Sequence, residues 1–252
     1  CCLMNDLIIP DSRFEMPSLF YPNRKPVGKV KIDLGHPLAD GLTLFLLFQD
    51  NRVTDLVSGR VGEKFGDAHW TPNGMFFDES GAYLTVPDVV LDSSYTITWQ
   101  ASPADNAGSF YQYLFSTEAY GVANSINIYI HEDDELTPRR FRAAGDGYEV
   151  ENLLDLDGYY PSMAELPTSL TVNGRNAAIF VDGEEKAANA AFGSSPMADG
   201  TTKTLYVGNR VDLNADRYFG GSVKFLMIHD KRLKNEITAK LHSNPYQFLI
   251  PA

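Results

Sequence analysis

The stretch "SLTVNGRNAAIFVDGEEKAA", residues 169–188, holds an apolar run between two dipeptides that favour tight turns. Asn173-Gly174 and Asp182-Gly183 are typical of two-residue type I′ hairpin turns, in which both central residues need a positive φ. The two turns bracket a predicted strand at residues 175–181 and join it to a further strand on each side. The stretch therefore predicts a three-stranded antiparallel meander.

On both sides of the meander the chain shows the alternation of a half-buried strand. In "SYTITWQAS" (residues 94–102) Tyr95, Ile97 and Trp99 share one face, and polar residues share the other. This alternation predicts an antiparallel sheet packed on one side. The strand "NSINIYIH" (124–131) alternates in the same way, and "LTLFLLF" (42–48) is apolar on both faces, as suits a central strand. Further strands are predicted at residues 74–78, 82–87, 110–116, 203–209 and 222–230.

The two ends of the chain differ from this series of short strands. A helix is predicted at residues 234–243, where Ile237 and Leu241 are four residues apart and Pro245 follows as a stop.

Residues 1–40 carry a proline every few residues and show no sustained hydrophobic period, which predicts an extended arm. Its apolar content indicates that the arm lies on its own body or on a neighbouring subunit. The whole pattern predicts an all-β fold, a two-sheet antiparallel sandwich or jelly roll over residues 41–252.

Charge and cysteine content narrow the classes of function. The chain has 33 acidic and 21 basic residues, and its net charge of −12 repels phosphate backbones and anionic lipid. We therefore expect neither a nucleic-acid nor a membrane partner. Cys1 and Cys2 are the only cysteines, so no disulfide can join distant parts of the body. Cys1 is expected to be an ordinary cytoplasmic start; the alternative is the lipid-modified end of a bacterial cell-surface lipoprotein.

The order of these segments resembles the laminin-G-like jelly roll of the concanavalin A-like lectin/glucanase superfamily. The resemblance covers residues 36–250 and rests on "HPLADGLTLFLLF", "DLVSGR", "MFFDESGAYLTVPD", "SSYTITWQASP", "SLTVNGRNAAIFVDGEE", "TLYVGNR", "YFGGSVKFLMIHDKRLKNEI" and "LHSNPYQFL" in that order. The flanks "RKPVGKVKIDLGHPLADGL" and "LHSNPYQFLIPA" are similar to laminin-G-like proteins of tailed bacteriophages. That resemblance implies a structural virion protein, a capsid decoration or a tail or fibre component.

In such a virion the expected partners of the chain are major capsid or tail proteins and other copies of itself. The N-terminal arm is the part of the chain that we expect to make these assembly contacts. The expected location is the virion, assembled in the host cytoplasm.

The glucanases of the superfamily carry their acids as Glu-x-Asp-x-x-Glu on one strand, which places the carboxylates on one face. In "HEDDELTPRR" (131–140) Glu132 and Asp134 have the first spacing, but Thr137 stands at the third acidic position. The sequence also lacks a Gly-x-Ser-x-Gly elbow and a His-Glu-x-x-His pair. We therefore expect no enzymatic activity, and a glycoside hydrolase or lyase is the third functional hypothesis.

The second hypothesis is a lectin-like module that binds host-surface glycans. Such a site needs an aromatic platform and convergent polar groups. The candidate carbohydrate-binding residues are Tyr111, Tyr113, Asn127, Tyr129 and His131, with Tyr120, Tyr159 and Tyr160 as further aromatic candidates.

The loop "GNRVDLNADRYFGG", residues 208–221, has the alternating Asp212, Asn214 and Asp216 of many calcium loops. Calcium requires six to eight oxygen ligands, and this loop completes no EF-hand because Arg217 replaces the expected glycine. A second acidic pair, Asp155 and Asp157, is also too small a ligand set. We favour a polar hairpin loop and expect no metal and no cofactor, with calcium as the alternative.

Overall fold

A computed structural model describes residues 26, 28–78, 81–104, 111–118, 125–131, 140–144, 153–156, 166–192, 198–213 and 217–252, of which 131, 140–144 and 153–156 are described by their backbone. In chain order the strands are β1 (Val30–Ile32), β2 (Leu42–Leu47), β3 (Glu63–Phe65), β4 (His69–Thr71), β5 (Gly74–Phe77), β6 (Tyr83–Leu91), β7 (Ser94–Pro103), β8 (Tyr111–Ser116), β9 (Asn127–His131), β10 (Arg140–Ala144), β11 (Leu153–Leu156), β12 (Thr168–Asn173), β13 (Asn176–Val181), β14 (Glu184–Asn189), β15 (Thr201–Val207), β16 (Gly221–His229) and β17 (Leu249–Pro251). A 3₁₀ turn spans Pro37–Ala39, and the helix α1 spans Asn235–Ser243.

The strands form two large sheets and one small one. The seven-stranded sheet has the order β11-β10-β9-β8-β15-β6-β3, and the eight-stranded sheet has the order β14-β13-β12-β7-β16-β5-β4, with β2 beside β16. Strands β1 and β17 pair with each other alone. Neighbouring strands run antiparallel throughout these sheets. The predicted all-β, two-sheet antiparallel jelly roll is confirmed, and the helix predicted at residues 234–243 is present as α1.

The main core lies between the two large sheets. Tyr95, Ile97 and Trp99 of β7 are buried there, as their alternation predicts. Trp99 meets Phe115 of β8 edge to face, with ring centroids 5.7 Å apart. This contact joins the two sheets, and each large apolar side chain buried in the core contributes about 1.5–3 kcal/mol to the free energy of unfolding.

A second apolar cluster covers the other face of the eight-stranded sheet. Phe45 of β2 and Met227 of β16 point outward into it and meet Leu241 of α1 and Phe248. Thr96 and Thr98, on the polar face of β7, are consequently fully buried. The prediction that this sheet is packed on one side is wrong, because period-two alternation tells which residues share a face but not what covers that face.

The predicted meander is present, but its two turns differ. Asn173 pairs with Asn176, so the central residues of the first turn are Gly174-Arg175, and of the two only Gly174 has a positive φ, of 59°. This is the φ pattern of a type II′ turn rather than the predicted type I′. In the second turn both Asp182 and Gly183 have a positive φ, of 49° and 83°, which confirms the type I′ prediction.

The predicted N-terminal arm is described only in its last part, since residues 1–25 and 27 lie outside the described residues. Residues Val30–Ile32 form β1 against β17, and their apolar side chains pack on the second cluster. Strand pairing therefore begins before the predicted domain boundary at residue 41. No helix among the described residues combines the length and the apolar character needed to cross a membrane.

Candidate functional site

The candidate site is the face of the seven-stranded sheet that points away from the main core, which we call the outer face. Ile128 and Ile130 of β9 point into the core, so the alternate residues Asn127 and Tyr129 lie on the outer face. The register of β8 with β9 sets Tyr113 opposite Tyr129, Tyr111 opposite His131, and Ser116 opposite Asn127. The pairing thus brings the five predicted carbohydrate-binding residues onto two neighbouring strands.

Three tyrosine rings form a cluster on this face. The rings of Tyr113 and Tyr129 are stacked, with centroids 4.8 Å apart and planes 14° apart, and the ring of Tyr111 lies 6.1 Å from that of Tyr129. Tyr113 and Tyr129 are each only 2% exposed, whereas Tyr111 is half-buried. A ligand that reaches this cluster from solvent therefore meets Tyr111 first.

The loop of residues 208–221 lies against the tyrosine cluster. The guanidinium carbon of Arg217 is 4.1 Å from the ring centroid of Tyr111, and that of Arg210 is 5.4 Å from the ring centroid of Tyr113. The backbone N–H of Tyr113 donates a hydrogen bond to the carbonyl oxygen of Arg217, at 3.3 Å. Cations within about 6 Å of a ring face are attracted by its quadrupole, so the two arginines hold the loop on β8.

The first acidic residue of the loop is engaged by a cation of the protein itself. Arg210 donates from Nε to Oδ1 of Asp212 at 2.8 Å, and its Nη2 contacts Oδ2. The hydrogen bond that Arg210 donates to Asp212 raises the pKa of Arg210, and a hydrogen bond that it donates to Tyr113 adds to this effect. Asn214 and Asp216 lie outside the described residues, so Asp212 is the one described residue of the predicted calcium loop, and its carboxylate is bound to Arg210. Of the second acidic pair, Asp157 lies outside the described residues and Asp155 is described by its backbone. The described part of the chain holds no group of three or more His, Cys, Asp or Glu side chains that could bind a metal ion.

A buried polar pair lies beside the tyrosines. Asn127 is fully buried, and its Oδ1 accepts a hydrogen bond from Ser116 Oγ at 2.8 Å. The Nδ2 of Asn127 has no hydrogen-bond partner among the described residues. A buried amide donor without a partner is unfavourable by about 1–3 kcal/mol, and a buried water molecule would satisfy this group.

The aromatic surface continues along the sheet to its other edge. Phe65 of β3 and Tyr83 of β6 are stacked 4.6 Å apart, and Tyr83 and Tyr206 of β15 are stacked 6.0 Å apart. Phe65 is 38% exposed, and burial together with the neighbouring Tyr206 raises the pKa of Tyr83. The sequence did not predict these three residues, because alternation alone does not align strands that are far apart in the chain.

Several sequence-predicted candidates fall outside the described residues. These are Glu132, Asp134 and Thr137 of the acidic run, and the further aromatic candidates Tyr120, Tyr159 and Tyr160. The sequence did not predict that Arg210 and Arg217 lie beside the tyrosines. They lie about a hundred residues from β8 in the chain, and only the placement of β15 beside β8 brings them there.

A family model described as the concanavalin A-like lectin/glucanases superfamily matches residues 78–237, which is more than half of the chain. No curated protein sequence matches the chain.

Among solved structures, domain 4 of an extracellular arabinanase from Geobacillus stearothermophilus, in complex with arabinotriose, has a TM-score of 0.56 and 15% identity, over 80% of this chain and 98% of that one. The botulinum neurotoxin serotype D binding domain has a TM-score of 0.59 and 11% identity, over 81% and 51%. A Trypanosoma rangeli sialidase in complex with sialic acid has a TM-score of 0.51 and 14% identity, over 80% and 32%. The likeness is one of fold, and this chain spans about half of the toxin domain and a third of the sialidase.

Proposed function

Because this chain belongs to the concanavalin A-like lectin/glucanase superfamily, we propose that it is a non-enzymatic, lectin-like module that binds glycans through the outer face of its seven-stranded sheet. We propose as its setting a structural or decoration component of a tailed-phage virion. In that setting the N-terminal arm contacts capsid or tail proteins, and the outer face is directed to host-surface glycans.

The main support for glycan binding is that aromatic rings and polar groups lie together on the outer face of the seven-stranded sheet. Tyr111 presents a half-buried ring, and the guanidinium of Arg217 lies 4.1 Å from its centroid. Sugars are recognised by aromatic surfaces that contact their C–H groups and by a few placed polar groups that bind their hydroxyls. The arabinanase domain with the same fold was solved with arabinotriose bound, which supports this choice of ligand class.

A binding rather than a catalytic role is supported by the charges beside the tyrosines. A glycosidase uses two carboxyl groups about 5–10 Å apart across the scissile bond. The charged groups over Tyr111 and Tyr113 are instead arginines, and the carboxylate of Asp212 is bound by Arg210. Elsewhere the buried Asp55 accepts hydrogen bonds from the backbone N–H groups of Phe45 and Val57, which is a structural use of that carboxylate.

The position of the arm supports display on a larger assembly. Strand β1 packs on the second apolar cluster, which covers the outside of the eight-stranded sheet, whereas the tyrosine cluster lies on the outside of the seven-stranded sheet. The described end of the arm, β1, therefore lies on the side of the sandwich opposite to the proposed glycan face. A protein attached through its arm would expose that face.

Glycan binding is tested with the full chain on a glycan array, followed by calorimetry with the best ligand. Tyr111→Ala should weaken binding about tenfold, because losing one ring contact is worth about 1 kcal/mol or more. The matched control is Phe76→Ala, a half-buried ring on the other sheet, which should leave affinity unchanged. An array without any binding contradicts the glycan role, and sugar release from a polysaccharide panel contradicts the non-enzymatic one.

The virion role is tested by deleting residues 1–25, which leaves β1 in place. The truncated chain should keep the melting temperature of the full chain but lose its incorporation into phage particles. Normal incorporation of a folded, truncated chain would rule out the arm as the attachment.

A further inference from the structure

A cleft lies at the edge of the sandwich, between the segment that follows β2 and strand β3. Its volume is about 460 Å³, and it is lined by Asn51, Arg52, Val53, Thr54, Val61 and Lys64 among others. Small-molecule sites typically measure about 300–1,000 Å³ and combine apolar walls with a few polar groups. This cleft has that size and composition, and it is separate from the tyrosine cluster, since β6 and β15 stand between β3 and β8.

Neither cation of the cleft forms an ion pair within the part of the chain that the structure describes. Lys64 Nζ donates to Asn51 Oδ1 at 3.3 Å and to the carbonyl oxygen of Ala68 at 3.4 Å, both uncharged acceptors. An ammonium has three donors, so one remains for a ligand. Within the described residues, the guanidinium of Arg52 makes no hydrogen bond and no ion pair. Two unneutralised cations in one cleft of a chain with a net charge of −12 favour an anionic ligand.

An aromatic residue stands beside these cations. The backbone N–H of Trp70 donates to Asn51 Oδ1 at 2.9 Å, the same oxygen that accepts from Lys64. Trp70 is 39% exposed, and Val61 of the cleft wall is 65% exposed. Asn51 therefore ties the backbone of a strand that carries an exposed indole to the wall of the cationic cleft. An exposed indole offers a surface for the C–H face of a sugar ring, and the cations bind its acidic group.

We propose that this cleft binds the carboxylate of an acidic sugar through Lys64 and Arg52, with Trp70 against the sugar ring. This inference rests on the proposed glycan-binding function and names the class of glycan, one that carries a uronic or sialic acid. Asn51 positions the site, since its single amide oxygen holds both the Lys64 ammonium and the Trp70 backbone.

The test is calorimetry on the full chain with two acidic probes and their neutral counterparts. Trigalacturonic acid is compared with its methyl ester, and sialyllactose with lactose. At least one acidic probe should bind about tenfold or more tightly than its counterpart, because a charge-assisted hydrogen bond contributes that much. Binding should weaken as NaCl rises from about 0.05 to about 0.5 M.

Lys64→Gln and Arg52→Gln should each reduce affinity for the acidic probe about tenfold. The matched control is Lys234→Gln, which removes the same charge from an exposed position at the start of α1 and should leave affinity unchanged. Arg52 is exposed, so its variant keeps the test valid if Lys64→Gln unfolds the edge strand.

The outcomes separate this inference from the function on which it rests. Loss of acidic-probe binding in both cleft variants, with binding retained in Tyr111→Ala, supports the cleft. Binding lost in Tyr111→Ala but unchanged in the cleft variants overturns the cleft and leaves the glycan function standing. Equal affinity for acidic and neutral probes also overturns the cleft proposal. A wild-type chain that binds no glycan overturns both the cleft proposal and the proposed glycan-binding function.

Discussion

Acidification should destabilise this fold through its buried histidines, and the share of His242 can be worked out from the structure. His242 of α1 is 1% exposed and joins the helix to the meander. Its Nδ1 accepts a hydrogen bond from the backbone N–H of Gly183 at 2.8 Å, so the proton of the neutral ring is on Nε2, which lies 2.7 Å from Ser169 Oγ. Ser169 Oγ lies in turn 2.7 Å from Thr98 Oγ1. A second proton on His242 would remove the acceptor of Gly183 and place a charge in the interior.

The magnitude follows from the pKa of His242, which burial lowers from 6.5 to about 4. The folded state therefore disfavours the protonated ring, and between pH 6.5 and about 4 the unfolded chain binds more protons. The contribution of the neutral His242 ring to the free energy of unfolding is complete above about pH 6.5. It decreases as the pH is lowered and is almost entirely lost near pH 4. The difference of about 2.5 pKa units corresponds to about 3 kcal/mol in the free energy of unfolding, of which about 2 kcal/mol is lost by about pH 5.

Urea unfolding, followed by tryptophan fluorescence at a series of pH values between about 7.5 and 4.5, measures this loss. His242→Gln keeps a hydrogen-bonding side chain but cannot be protonated. Over this pH range its free energy of unfolding should therefore fall by about 2–3 kcal/mol less than that of wild type. His229→Gln tests the second buried histidine, whose pKa burial also lowers, and should likewise lose less stability than wild type. The matched control is His69→Gln, at an exposed position of β4, which should lose as much stability as wild type. If wild type and His242→Gln lose the same free energy between pH 6.5 and 4.5, the assignment of the acid sensitivity to His242 is wrong.

Three further changes test the packing, each by urea unfolding. Trp99→Ala should lower the free energy of unfolding by about 3–5 kcal/mol, since it empties the centre of the main core. Asp55→Ala should lower it by at least about 2 kcal/mol, because buried backbone N–H groups lose a charged acceptor. Gly74→Ala should be far more damaging than the control Gly59→Ala, although both residues have a positive φ. A Cβ at Gly74 would lie 2.1 Å from the Val223 carbonyl oxygen, whereas at Gly59 it meets open space and should cost only about 1 kcal/mol. Equal losses for the two glycine variants would contradict the clash.

Much of the fold could be predicted because strands carry their pattern locally. Tyr95, Ile97 and Trp99 share a face whatever the rest of the chain does, and Asp182-Gly183 needs positive φ values that few other pairs adopt. The type of the first turn could not be read in the same way. It depends on the pairing of Asn173 with Asn176, which is set by the register of two whole strands.

The candidate site was predictable to a smaller extent. Tyr111, Tyr113, Asn127 and Tyr129 were chosen for their residue types, and the register of β8 with β9 brings them together. Their burial could not be predicted, because it depends on what lies over the sheet. The same holds for the cleft: Asn51 and Lys64 are unremarkable polar residues until the chain turns back and sets them 3.3 Å apart.

By itself the sequence determined the strand pattern, the meander, the terminal helix and the acidic charge of this protein, since each depends on neighbouring residues or on composition. The tertiary structure alone decided which strands adjoin, that Arg217 lies over Tyr111, and that His242 of α1 meets Ser169 of β12. It also decided that Lys64 and Arg52 share a cleft. The physical reason is that these contacts join residues distant in the chain, and their energies depend on burial and distance, which are properties of the folded chain.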